Sequence, residues 1–200
     1  MTETPLVSII VANFNGEDVI ASCLESLGRL EYPNFEVIVV DDASTDGSVE
    51  VVGETFPEVR LVALQKNVGL AGANNIGMEY AEGEVLVFDL NNDEIVDKDW
   101  LSNLVEVLMS SPKIGITCGK RYQADKEFKK GNIILSAGSK INPVTAECAA
   151  IGYGERDSAK YGIQEETDFA TVVVTRRNVL KKVGLFDPVY GNYYEDSDIS

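Results

Sequence analysis

The chain has 200 residues, with 17 Lys and Arg against 33 Asp and Glu, so its formal net charge is −16, and it contains no histidine. The acidic balance argues against a nucleic-acid-binding protein and against docking on anionic lipid, because both surfaces repel negative charge. The absence of histidine excludes Ser-His-Asp triads, Cys-His dyads and zinc held by imidazole. Chemistry in this chain therefore has to use carboxylates, or a metal ion that prefers oxygen ligands.

The composition is that of an ordinary globular chain, with 44% hydrophobic and 25% charged residues. The three cysteines, Cys23, Cys118 and Cys148, are far apart and form no CxxC pair. This sparse, odd count predicts neither a zinc site nor a disulfide framework, and it favours a reducing compartment. The polar first residues do not resemble a signal peptide, and no apolar run approaches the ~20 residues of a membrane-spanning helix.

The first 118 residues alternate short apolar runs with segments whose apolar residues recur every three or four positions. The apolar runs predict strands at 6–12, 35–40, 59–64, 84–90 and 114–118. The spaced segments predict helices at 19–30, 48–56, 69–80 and 100–109. This alternation predicts an α/β fold with a mainly parallel sheet and helices on both faces.

The second half is less regular. Residues 121–132 have little apolar content and are predicted to form an exposed loop, and 138–168 are polar and rich in glycine. A strand at 169–175 and a short helix at 176–183 follow. No linker divides the chain, so we expect one domain. Because the chain stops inside an acidic, aromatic cluster, we also expect the protein to continue beyond residue 200.

Polar clusters follow three of the predicted strands, at 13–15, 41–42 and 91–93. In parallel sheets ligands bind beyond the carboxyl ends of the strands, where these clusters lie. Asp41 and Asp42 are either part of a helix-capping loop or ligand contacts to a base or ribose. Since Ser44 and Asp46 already supply capping groups, a ligand role is favoured.

The cluster Asn91-Asn92-Asp93 combines one carboxylate with amide oxygens. That set suits a hard divalent cation held mostly by ligand phosphates and water, as Mg²⁺ usually is. The alternative is an Asn-rich turn, which is common. Asp89, two residues inside the strand, is either a second metal ligand or a buried acid paired with a basic group.

Two further segments carry candidate functional residues. The small-residue segment 67–77 opens a helix and is either a place where the backbone approaches an anionic ligand or a face packed tightly on the sheet. It has neither a GxGxxG nor a lysine-containing phosphate loop, which argues against a dinucleotide dehydrogenase and a P-loop NTPase. Glu195 and Asp196, beside two tyrosines, are either a solvated turn or the source of a general base.

Four blocks of the sequence, in order, resemble a known family: VSIIVANFNG, VIVVDDASTDGS, NVGLAGANNIGMEYAEGEVLVFDLNND and VGLFDPVYGNYYEDSDIS. They are similar to the successive blocks of family 2 inverting glycosyltransferases of the GT-A fold, in the rhamnosyltransferase-like or polysaccharide-biosynthesis branch. The resemblance covers nearly the whole chain and implies a single catalytic domain over 1–200. In that domain, 1–118 would bind the nucleotide-sugar and 119–200 would form the acceptor side.

The resemblance also implies roles for individual residues. Asp196 would be the general base with Glu195 as its companion. Asp93 matches the last acid of the family's DxD-type motif and would bind Mg²⁺ or Mn²⁺, while the first position of that motif is Asn91 here, and Asp89 remains a second candidate ligand. The residues that would contact the nucleotide-sugar are Ala12, Asn13, Asn15, Asp41, Asn67, Gly69, Asn74 and Asn91.

The implied reaction is a single in-line displacement at the sugar of a UDP-, GDP- or dTDP-sugar by a hydroxyl of a glycan or lipid-linked acceptor. The cation would neutralise the diphosphate leaving group, and an aspartate would take the proton of the hydroxyl. The resemblance implies a cytoplasmic domain that works at the inner membrane face only through parts outside this chain. The alternatives are a non-catalytic nucleotide-sugar or glycan-binding module and, less favoured, a sugar-nucleotide pyrophosphorylase, since NFNGEDV lacks the basic residues of that loop.

Overall fold

The computed structural model describes residues 4–125, 127, 129–145, 147–162, 167–187 and 189. The strands in these ranges are β1 (Val7–Asn13), β2 (Phe35–Asp41), β3 (Arg60–Ala63), β4 (Val85–Asn91), β5 (Ile116–Thr117), β6 (Arg121–Ala124), β7 (Lys130–Ser136), β8 (Ser139–Ile141), β9 (Cys148–Ala150) and β10 (Val173–Arg176). The helices are α1 (Ile20–Gly28), α2 (Ser48–Thr55), α3 (Gly69–Tyr80), α4 (Trp100–Ser110) and α5 (Arg177–Val183), with a 3₁₀ turn at Ala159–Tyr161.

A six-stranded sheet with the order β3-β2-β1-β4-β10-β5 forms the centre of the fold. The strand β1 pairs in parallel with β2 and β4, and β2 pairs in parallel with β3. All seven residues of β1 are buried, which explains its nearly continuous apolar sequence, because such a strand is covered on both faces. The predicted α/β fold with a mainly parallel sheet is confirmed, and β10 is the strand that runs antiparallel to its neighbours.

Helices cover both faces of this sheet, as the alternating pattern predicted. Buried side chains of α1, α2 and α4 pack in one core cluster, and those of α3 and α5 pack in the other. The helix α3 comes especially close, since a Cβ at Gly77 would lie 2.4 Å from Ile10 Cγ2 of β1. Within the described ranges, no helix combines the length and the apolarity needed to cross a membrane.

The prediction that residues 121–132 form an exposed loop is wrong. The strands β6 and β7 pair there as an antiparallel hairpin with two register shifts. The phenol of Tyr122 donates to Asp157 Oδ2 at 2.6 Å, and Lys130 Nζ lies 4.5 Å from the Tyr122 ring centre. The hairpin is half-exposed and uses charged side chains in these contacts, so its sequence lacks the apolar alternation from which strands are predicted.

Candidate active site

The carboxyl ends of β1, β2 and β4 surround an open cavity of about 230 Å³. Its lining combines amide, carboxylate and apolar side chains, contributed by Ala12, Asn13, Phe14, Asp42, Asn67, Leu70, Ala73, Asn91 and Asn92. Four of the residues predicted to contact a nucleotide-sugar are among them: Ala12, Asn13, Asn67 and Asn91. The structure therefore brings together polar groups from sequence positions almost 80 residues apart at the sheet edge where ligands of parallel sheets bind.

Asn13, at the end of β1, ties the neighbouring strand ends together. Its Nδ2 donates to Asp41 Oδ2 at 2.7 Å, and its Oδ1 accepts a hydrogen bond from Asn92 Nδ2 at 2.6 Å. The side chain is almost fully buried. A Cβ at Gly16 would lie 2.1 Å from Asn92 Nδ2 and 2.4 Å from Asn13 Oδ1, so this network has no room for a larger residue there. One amide thus sets the relative positions of three strand ends.

Asp41 is engaged inside the protein and does not line the cavity. Its Oδ2 accepts from Ser44 Oγ at 2.6 Å as well as from Asn13, and its Oδ1 accepts from Ser44 N at 2.9 Å. Asn15 is exposed and also builds the loop, because its Oδ1 accepts from Thr45 N at 2.8 Å. In this structure Asp41 and Asn15 shape the loops that follow β1 and β2.

Asp42 has a different position from its neighbour, and the sequence pattern did not reveal it. Its Oδ1 accepts from Val68 N at 2.7 Å and its Oδ2 accepts from Gly69 N at 2.9 Å, at the start of α3. Gly69 has a φ of +78°, in the left-handed region that favours glycine. Asn67 Nδ2 in turn donates to the Asp42 carbonyl at 3.2 Å. Since Asp42 already accepts these two N–H groups, they are not available to an anionic ligand.

Asn74 and Asp89 meet behind the cavity. Asn74 is fully buried, with its Nδ2 donating to Leu70 O at 3.1 Å and its Oδ1 accepting from Asp89 N at 2.9 Å. Asp89 lies in a bulge of β4, with a φ of +61°, so that Val87 and Leu90, three residues apart, pack in the same core cluster. Both side chains are buried, and neither lines the cavity.

The turn that follows β4 carries the predicted cation ligand Asp93. Glu94 N donates to Asn91 O at 3.2 Å and closes the turn, and the Asp93 carboxylate is exposed. In the described part of the chain, no group of three or more Asp, Glu, Cys or His side chains could hold a metal ion. The donor set of one exposed carboxylate and neighbouring amide oxygens fits a hard divalent cation that takes most of its ligands from a bound phosphate group and water.

The electrostatics of this turn are visible at Cys23, a buried residue of α1. Burial raises the pKa of the Cys23 thiol to about 12, with further contributions from the negative charges of Glu94 and Asp93. The thiol donates to the Asn91 carbonyl, with the sulfur 3.7 Å from the oxygen. The carboxylates of Glu94 and Asp93 therefore lie close enough to the buried Cys23 thiol to disfavour its ionisation.

The two predicted catalytic residues, Glu195 and Asp196, lie outside the described residues, so their roles stay predictions. Conversely, Phe14 lines the cavity and was not singled out from the sequence. Its side chain is 50% exposed although it follows a fully buried strand. An aromatic residue placed directly after the strand, within the turn-forming residues Asn13-Phe14-Asn15-Gly16, is the signal that could have identified it.

Comparison with protein families identifies the fold and the kind of enzyme. Residues 8–184 match the family described as Glycosyl transferase family 2. An uncharacterised glycosyltransferase of Haemophilus influenzae is 33% identical over 144 residues, which is 70% of this chain and 56% of that protein. The poly-β-1,6-N-acetyl-D-glucosamine synthase of Staphylococcus epidermidis is 28% identical over 184 residues, which is 90% of this chain and 42% of the synthase.

Solved structures show the same architecture. A mannosyltransferase from Pyrobaculum calidifontis, solved with GDP-Man and Mn²⁺, is 26% identical with a TM-score of 0.65, covering 98% of this chain and 51% of that one. TarS residues 1–349 from S. aureus, solved with UDP, is 21% identical with a TM-score of 0.65, covering 96% of this chain and 52% of that one. This chain thus spans about half the length of these four proteins, and 16% and 30% of two further relatives.

These neighbours are glycosyltransferases of the GT-A fold. The mainly parallel central sheet that the strand pairing shows here belongs to the same fold. The match to the family spans every element from β1 to α5, including the cavity at the carboxyl ends of the strands. By fold and by sequence, this chain belongs to glycosyl transferase family 2.

Proposed function

We propose that this domain binds a nucleotide-diphospho-sugar in the cavity at the carboxyl ends of β1, β2 and β4 and transfers the sugar, with inversion, to an acceptor hydroxyl. The observation that carries the proposal is the cavity itself, whose amide-rich lining includes Asn91 and Asn92, the two residues directly before the exposed Asp93. The relative from P. calidifontis, with GDP-Man and Mn²⁺ bound, supports a nucleotide-sugar donor and a divalent cation. The acceptor hydroxyl belongs to a glycan or to a lipid-linked acceptor.

The nucleotide part of the donor contacts the residues that line the cavity. Phe14 offers an exposed ring against which a base can stack, and Asn13, Asn67 and Asn91 offer amide groups for hydrogen bonds. Asp41, Asn15, Gly69 and Asn74 support this lining by holding the loops and the start of α3 in place. In this proposal they shape the pocket, and the donor touches the residues in front of them.

Asp93 would hold the cation, with Asn91 beside it, and most of the other ligands would come from bound phosphate and water. A bound Mg²⁺ or Mn²⁺ supplies Lewis-acid stabilisation of the charge that grows on the leaving diphosphate. Asp89 lies buried in the bulge of β4, two residues before Asn91, and its backbone N–H is bound by Asn74.

Asp196, with Glu195 beside it, takes the proton from the acceptor hydroxyl as that oxygen attacks the sugar. A carboxylate is the base available to a chain with no histidine, and a positioned base of this kind contributes roughly 10²–10⁴-fold to a rate. The test is an Asp196→Asn variant assayed for transfer and for nucleotide binding. Loss of turnover with unchanged binding supports this role, and normal turnover excludes it.

The donor site is tested by isothermal titration of UDP, GDP and dTDP, each with and without MnCl₂. We expect one nucleotide to bind, and to bind more tightly with Mn²⁺. Asp93→Asn should reduce the gain from Mn²⁺ by at least about tenfold, or ~1.4 kcal/mol. Asp99→Asn, which removes an exposed carboxylate six residues after Asp93 and distant in sequence from the lining residues Asn91 and Asn92, should leave that gain unchanged. If none of the three nucleotides binds the wild-type protein, the proposed donor site is wrong.

A further inference from the structure

An ion pair links the turn that carries Asp93 to the β6–β7 hairpin. The guanidinium of Arg121, at the start of β6, donates through Nη2 to Glu94 Oε1, one residue after Asp93. The two side chains are 31% and 20% exposed, so the pair is shielded from much of the screening that weakens surface ion pairs. It joins residues 27 positions apart in the sequence.

Arg121 is held from a second side. Its Nη1 donates to Thr171 Oγ1 at 2.9 Å, just before β10. Its Nε is buried and has no hydrogen-bond partner among the described residues. Leaving one N–H unsatisfied costs free energy, so the other two hydrogen bonds of this guanidinium are made at a cost. The planar guanidinium bridges one oxygen of Glu94 and one of Thr171 in a fixed geometry.

Both flanks of Asp93 are therefore fixed. On one side the Asn92 amide donates to Asn13 at 2.6 Å, and on the other Glu94 is bound by Arg121. Between them the turn is closed by Glu94 N and Asn91 O at 3.2 Å. Because both neighbouring residues are anchored, the backbone at Asp93 loses little additional conformational entropy when its side chain binds a cation.

We propose that Glu94 and Arg121 are positioning residues, which hold Asp93 in the orientation that binds the divalent cation and which connect this orientation to the acceptor-side hairpin. This inference rests on the proposed donor site. Outer-shell partners of this kind typically change metal affinity about 10- to 100-fold when they are removed. Neither residue lines the cavity, so we expect the effect to fall on the part of donor binding that depends on the cation.

The hairpin provides a matched control. Lys130 Nζ, at the start of β7, donates to Asp97 Oδ2 at 2.6 Å. This second ion pair also joins the segment between β4 and α4 to the β6–β7 hairpin. These side chains are 51% and 62% exposed, and Asp97 is four residues from Asp93. An exposed pair contributes about 0–1 kcal/mol, and it does not adjoin the cation ligand.

The experiment measures the affinity for the nucleoside diphosphate that the wild-type protein binds, with and without MnCl₂, in Arg121→Met, Glu94→Gln and the double variant. We expect each single variant to reduce the gain in affinity from Mn²⁺ about 10-fold or more, with metal-free affinity unchanged. The double variant should lose no more than either single variant, because both changes remove one interaction. Arg121→Lys should lie between, and Asp97→Asn should match the wild type.

The outcomes separate this inference from the proposed donor site. If the wild-type protein binds no nucleotide, the proposed donor site fails, and the positioning role fails with it. If the wild type gains affinity from Mn²⁺ and the Glu94 and Arg121 variants gain as much, the positioning role alone is wrong. An equal loss of affinity with and without Mn²⁺ also contradicts it, since that is the result expected of a general structural contact. Glu94→Gln preserves side-chain shape, so it provides the test if Arg121→Met does not fold.

Discussion

At the scale of residues, chemically identical side chains do different work around the cavity. Asp41 and Asp42 are adjacent and nearly buried, at 2% and 4% exposure. Asp41 accepts hydrogen bonds from Ser44 and Asn13, whereas Asp42 binds the N–H groups that begin α3. Successive residues at a strand end point to opposite sides, so one acid faces the loop and the other faces the helix. The sequence shows that two aspartates are adjacent, but it does not reveal which one binds the loop and which one binds the start of α3.

Phe14 tests the position of the base at this scale. Replacing it with alanine removes the exposed ring from the cavity, and we expect nucleotide affinity to fall by about 1–3 kcal/mol, which is the usual contribution of a base stacked on an aromatic side chain. Isothermal titration with and without Mn²⁺ measures this, and the loss should be the same in both conditions. Tyr153→Ala removes an even more exposed aromatic ring that does not line the cavity, and it should bind like the wild type. A loss confined to the Mn²⁺ condition would place Phe14 away from the base.

At the scale of elements, α3 shows why the segment 67–77 is rich in small residues. The helix begins and ends at the predicted residues, Gly69 and Tyr80. Asn75 anchors this helix to the segment after α5, because it donates to Phe186 O at 2.8 Å and accepts from Phe186 N at 3.1 Å. The Phe186 ring packs edge-on against the Phe88 ring of β4, with the ring centres 5.3 Å apart. One helix thus touches β1, the bulge of β4 and the segment that follows α5. Of the two predictions for segment 67–77, tight packing on the sheet is the one that the contacts of α3 confirm.

Two glycine-to-alanine substitutions measure this close packing. In Gly77→Ala the new Cβ would lie 2.4 Å from Ile10 Cγ2 and 3.2 Å from Val40 Cγ2, so we expect overpacking to outweigh the gain in helix propensity and to cost about 1–2 kcal/mol. In Gly53→Ala, in α2, nothing lies within 4 Å of the added methyl group. That variant should be more stable by about 0.5–1 kcal/mol. Urea unfolding measures both, and a stabilised Gly77→Ala protein would show that α3 can move away from β1.

At the scale of the whole molecule, the buried thiol of Cys23 reports on the integrity of the fold. Cys23 is fully buried in the larger core cluster, and burial together with the charges of Glu94 and Asp93 raises the pKa of its thiol to about 12. Reagents that need a thiolate should therefore modify the exposed Cys148 at pH 8 and reach Cys23 only through unfolding.

A thiol-modification assay in native buffer and in urea checks this expectation, with mass spectrometry of the labelled peptides to identify each cysteine.

The raised pKa of the Cys23 thiol also predicts how the free energy of unfolding depends on pH. Above pH 9 the thiol of the unfolded chain ionises while the native thiol stays protonated until about pH 12, so the free energy of unfolding should fall across that range. Rapid labelling of Cys23 in native buffer at pH 8 would contradict both statements.

Hydrophobic periodicity in the sequence was enough to predict most of this fold, because a buried parallel strand and an amphipathic helix each need a distinctive apolar pattern. It also identified the sheet edge where the cavity lies and the turn that carries Asp93. Tertiary structure was needed wherever the deciding contact is long-range or polar. The antiparallel direction of β10, the hairpin of residues 121–132, the separate tasks of Asp41 and Asp42, and the Glu94–Arg121 pair all depend on partners that lie near in space and far in sequence. Buried apolar residues recur along the chain with the spacing of a strand or a helix. A hydrogen bond between side chains that are distant in sequence leaves no such regular spacing from which to predict it.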